Sequence, residues 1–93
     1  MPIKPHIVIH YCTGCNWLLR SAWLTQELLS TFPEQLHEVS LRPSKKSGIF
    51  TITLGEEVIW DRKIDGGFPE AKELKRRVRD HIDPNRDLGH IDK

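Results

Sequence analysis

The stretch "HIVIHYCTGCNWLLRSAWLTQELLST", residues 6–31, passes from one backbone periodicity to another across a short joint. Residues 6–11 alternate Ile7, Ile9 and Tyr11 with His6, Val8 and His10, the period-two pattern of a strand with one buried face. Residues 16–31 hold neither Gly nor Pro, and Trp17, Leu24, Leu28 and Phe32 recur with Leu18, Ala22 and Leu29 on one broad helical face. A strand that feeds a helix so directly brings the chain back along it, so the next strand pairs in parallel through a right-handed crossover. The joint itself is Cys12-Thr13-Gly14-Cys15, and it contains the only two cysteines of the chain.

The rest of the sequence completes a small sheet. Phe32-Pro33-Glu34 stops the helix, and residues 36–43 alternate through Val39 and Leu41 as a second strand. After the polar loop "PSKKSG", the run "GIFTITLGEEVIWDRK" reads as two strands turning at Gly55-Glu56. Pro69 takes a first helical position, Ala71, Leu74, Val78 and Ile82 form one stripe, and Asp83-Pro84 ends it. The order is β-α-β-β-β-α, an α/β (α+β) class with a four-stranded mixed sheet and two helices whose apolar stripes cover its faces. Ninety-three residues support one domain over residues 1–83, with residues 84–93 expected as a mobile C-terminal tail.

Composition removes several function classes. With 14 Lys and Arg against 13 Asp and Glu, the net charge of +1 gives no general attraction to nucleic acid or anionic membrane. "KELKRRVR", residues 72–79, is interleaved with Glu70, Glu73 and Asp80 and reads as a solvated helix face. The opening "MPIKPHIVIHYC" has an apolar run of only three, too short for a signal-peptide core or a membrane span. The expectation is a soluble, cytoplasmic chain, and in a reducing compartment a close cysteine pair is redox-active or metal-binding more often than a structural disulfide.

Three readings of Cys12 and Cys15 compete: a redox couple, half of a zinc site, and inert thiols. Redox is favoured, because a closed zinc site needs four ligands while no second CxxC exists and His6, His37, His81 and His90 are scattered. A helix N-terminus favours the thiolate, and Thr13 and Gly14 keep the turn small. On local geometry Cys12, at the helix mouth, is the nucleophile and Cys15, in the first helical turn, resolves the mixed disulfide. His10 is either a support for the thiolate or an exposed strand histidine. Leu19 and Trp23 fall off the apolar stripe, as a partner-docking platform or as a patch covered by another segment. Gly66 and Gly67, adjacent before Phe68, signal positive φ or close approach of another segment.

At "YCTGCNWLLRSAWLTQELL" and "GEEVIWDRKIDGGFPEAKELKRRVRD", in the order given, the chain resembles the selenoprotein W-like (Rdx) family of the thioredoxin-like fold, in particular its cysteine-containing bacterial members. The resemblance spans nearly all of residues 5–90. It implies a thioredoxin-like domain in cell redox homeostasis, with Cys12 and Cys15 as the redox pair and no bound cofactor. It also implies glutathione, as reductant, and thiol or disulfide proteins as partners. The segment of Gly66, Gly67 and Phe68 is placed beside the cysteine loop. The family's selenocysteine stands at the position of Cys15, so the resemblance names Cys15 as attacker where local geometry names Cys12. A thiol–disulfide oxidoreductase, a stoichiometric carrier and a non-catalytic redox-sensing binding module all fit these residues, and the oligomeric state is not written in them.

Overall fold

Ile7, Ile9 and Tyr11 bury one side of strand β1 (His6–Cys12), and this makes it the centre of the sheet. The structure, a computed structural model, describes residues 5–89. After a single 3-10 turn (Thr13–Cys15), helix α1 (Leu18–Thr31) crosses to strand β2 (Glu38–Ser44), which pairs parallel with β1 along its length. Strands β3 (Phe50–Leu54) and β4 (Glu57–Asp61) form the hairpin, β3 lying antiparallel to β1, for a sheet order of β2-β1-β3-β4. The thioredoxin-like α/β arrangement read from the sequence is the observed one, a four-stranded mixed sheet with two main helices.

The second main helix, α3 (Ala71–Ile82), packs beside α1. Lys75 on α3 reaches Glu27 on α1 at 3.1 Å, so both helices lie on the same side of the sheet. There Leu24 and Leu28 of α1 and Leu74 and Val78 of α3 meet Ile9 and Ile52 in one core. Each of these fully buried aliphatic side chains contributes roughly 1.5–3 kcal/mol of burial. The two stripes therefore cover one face and not both. The alternation of β1 explains this: its other face carries His6, Val8 and His10, which stay half-buried beside Thr51 and Thr53 of β3.

Other boundaries depart from the reading of the sequence for local reasons. Helix α1 begins at Leu18 and not at residue 16, because Asn16 takes φ 59°, a left-handed value that asparagine tolerates. Leu18 and Leu29 prove exposed, so the buried stripe is narrower than its wheel. A one-turn helix α2 (Arg62–Asp65) follows β4, and α3 starts after Glu70, leaving buried Pro69 outside it. Residues 84–89 run back over the end of α1, where Arg86 donates to the Thr31 carbonyl at 2.8 Å and Leu88 packs on the core. Residues 90–93, including His90, lie outside the described residues.

Candidate functional site

Cys12 is the last residue of β1, and its backbone N–H donates to the Ile49 carbonyl at 2.9 Å. The turn that follows brings Cys15 back so that the two Cα atoms are 5.5 Å apart and the sulfurs pair as a disulfide. Thr13 donates its hydroxyl to the Ser44 carbonyl at 3.2 Å, which ties this turn to the end of β2. Gly14 is exposed, and a Cβ there would meet nothing within 4 Å. The left-handed Asn16 then redirects the chain into α1.

This geometry corrects the placement of both sulfurs. Cys15 precedes the α1 N-cap, Trp17, by two residues and is not in the first turn of that helix. Cys12, expected at the open mouth, is only 3% exposed, whereas Cys15 is half-buried. A strand end flanked by two neighbours covers its own side chain, and the tight turn pushes the later residue outward. Cys15 is the more exposed residue of the pair.

Two residues beyond Cys15, Trp17 joins an aromatic cluster whose members come from distant parts of the sequence. The Phe68 ring centroid is 4.8 Å from Trp17 and 4.9 Å from Phe50, both edge-to-face. Arg20 stands over Phe68 at 4.3 Å and Arg62 over Trp17 at 5.0 Å. Phe68 is held in place by the turn before it. Gly66 and Gly67 have φ of 78° and 141° with no close neighbour at the missing Cβ, so dihedral freedom and not close approach requires them. Trp60 donates its indole N–H to the Gly67 carbonyl at 2.9 Å, and Asp65 accepts from the Asp61 N–H and from Arg77. Those bonds hold the Asp65 carboxyl below its ordinary range, the Asp61 N–H more than Arg77.

His10 sits on the open face opposite Arg42 and Thr51. Burial, and then the Arg42 guanidinium, hold its imidazole below the ordinary histidine range. Leu19 is 83% exposed and Trp23 47% exposed on the outer side of α1. Among the described residues, no three His, Cys, Asp or Glu side chains gather as metal ligands would. Nor is any described helix long and apolar enough to cross a membrane. Arg20 and Arg62 were not singled out in the sequence, and only a charge beside an aromatic, at "WLLR" and "WDR", hinted at them.

A strand that delivers a Cys-x-x-Cys turn ahead of a crossover helix, on a sheet of this order, defines a small thioredoxin-like redox domain. The Rdx family model matches residues 6–80, and the chain belongs to the Rdx family. It is similar to a selenoprotein W-related protein from Vibrio cholerae, with 57% identity and a TM-score of 0.84 over 87% of this chain and 100% of that one. A protein from Bordetella parapertussis is equally similar, at 57% identity and a TM-score of 0.84, covering 86% of this chain and 100% of its own. No curated protein matches the chain. Family and geometry together give the Cys12–Cys15 pair a redox role.

Proposed function

We propose that the chain is a thiol–disulfide exchange protein of the cytoplasm, reduced by glutathione and acting on the disulfides of other proteins. The observation that carries this is the closed Cys12–Cys15 pair, with Cys12 buried and Cys15 half-buried. In the reduced protein the Cys15 thiolate attacks a substrate disulfide, forming a mixed disulfide and expelling one substrate thiolate. The Cys12 thiolate then attacks the Cys15 sulfur, closes the internal disulfide and releases the second thiolate. Two electrons pass to the substrate, and the protons of the two cysteines end on the released thiols or in solvent. Two glutathione molecules reverse the change and leave as glutathione disulfide. Thr13 and Gly14 support the step by keeping the turn short, and Gly66, Gly67 and Phe68 border the docking surface.

The test is equilibration of the dithiol and disulfide forms in glutathione buffers. A potential within the cytosolic poise of roughly −220 to −320 mV is expected. Exchange activity that survives Cys12→Ser and Cys15→Ser together rejects the reading. A second reading, a redox-sensing adaptor, is favoured by the exposed Leu19 and Trp23 beside the motif. It requires partner binding that changes with oxidation and weakens in Trp23→Ser.

A further inference from the structure

At the start of β3 the surface opens into a cavity of about 110 Å³, walled by Lys46, Ile49, Thr51, Asp61 and Lys63 among others. Ile49, which lines the cavity, accepts the Cys12 N–H at its carbonyl, so the cavity wall is bonded to the strand end that carries Cys12. Lys46 and Lys63 form no ion pair among the described residues, and the single acid of the wall, Asp61, uses Oδ1 to accept the Lys63 backbone N–H at 2.9 Å. A third cation adjoins them: an Arg62 Nη2 lies 3.7 Å from where a Cβ on Gly48 would stand, and Gly48 also lines the cavity. The ammonium groups of Lys46 and Lys63 at the cavity wall are met well by a carboxylate.

We propose that this cavity is a carboxylate-binding subsite, which gives the redox pair a preference for thiols and disulfides carrying an acidic group near sulfur. The inference rests on the exchange reading above and adds to it the chemistry of the substrate. At this volume the cavity has room for about three or four water-sized groups, enough for a carboxylate and its methylene. The acid can belong to a small thiol or to an acidic residue beside a client's cystine. Lys46 and Lys63 bind and orient it while the substrate sulfur meets the pair. The exchange steps are unchanged: the substrate disulfide is reduced to two thiols as the protein dithiol closes.

The experiment follows oxidation of the fully reduced protein by three disulfides of similar size: anionic dithiodiglycolate, neutral hydroxyethyl disulfide and cationic cystamine. The anion is expected to react about tenfold faster than the cation, as electrostatic steering at a cationic site produces. That ratio falls towards one in Lys46→Gln/Lys63→Gln and in about 0.5 M salt, while Lys72→Gln on exposed α3 surface keeps it. Cystine peptides with Glu or Gln beside the cysteine separate the two sources: a Glu preference marks a protein client, and equal rates mark a small thiol. A ratio near one in the unaltered protein, or one that survives the double substitution, overturns the subsite while exchange itself stands. Failure to react even with the neutral disulfide overturns the exchange reading and the subsite with it.

Discussion

Phe68 stands edge-on to Trp17 at 4.8 Å, and through this contact the segment before α3 closes over the residue two places beyond Cys15. The contact joins two stretches of sequence that are remote along the chain. It also shows why the Gly66-Gly67 turn matters: the indole N–H of Trp60 fixes Gly67, and the fixed turn sets Phe68 against Trp17 and Phe50.

Phe68→Ala is expected to destabilise the fold by about 2 kcal/mol, less than the 3–5 of a fully buried Phe, because this ring is half-buried. Urea unfolding of both proteins measures it. A midpoint that does not move shows that the ring covers nothing of consequence.

A pH effect follows from Asp65. Its carboxyl titrates below the ordinary value of roughly 3.9. The folded protein thus binds that proton later than the unfolded chain as pH falls. Its stabilisation is complete above the unfolded value and disappears as pH drops through the folded one. Asp65→Asn should lower stability at pH 7 by about 1 kcal/mol through the weakened bonds to the Asp61 N–H and to Arg77. The gap between variant and parent should then shrink below about pH 4. Unfolding measured at both pH values decides this, and a gap constant with pH rejects it.

Much of this was legible in the sequence because it rests on periodicity. The alternation of residues 6–11 and the stripe of Leu24, Leu28, Leu74 and Val78 dictate which sides are buried, and the crossover rule supplies the parallel pair. The cysteine turn was legible by position but not by exposure, since burial of Cys12 depends on β2 and β3 beside it. Helix α2 was missed although its signal was present: Asp61 caps Lys63 and Gly66 closes the turn on the Arg62 carbonyl. The cationic rim of Lys46, Arg62 and Lys63 had no local signal, because it forms only when the loop before β3 meets the end of β4.

His10 should titrate below roughly 6.5, its imidazole being disfavoured as a cation first by burial and then by Arg42. The folded state takes up this proton later than the unfolded chain, so stability is full above about pH 6.5 and declines below it. With the disulfide closed, the ring is thus mostly uncharged at neutral pH. NMR titration of the His10 ring gives the midpoint directly. Cys15 in His10→Gln should show the same alkylation-versus-pH curve as the parent, and a curve shifted to higher pH would restore His10 as a thiolate support.

The exposure difference between the cysteines predicts their order of reaction. In the reduced protein a limiting amount of iodoacetamide should modify Cys15 about tenfold faster than Cys12, since reactivity requires access as well as thiolate. Peptide mapping after a brief pulse reads the ratio. The roles then separate in single variants: Cys12→Ser should accumulate a stable mixed disulfide at Cys15, because nothing resolves it, and Cys15→Ser should form almost none. The reverse pattern, a trapped adduct on Cys12 in Cys15→Ser, would mean that the strand end opens in solution and that the buried sulfur attacks first.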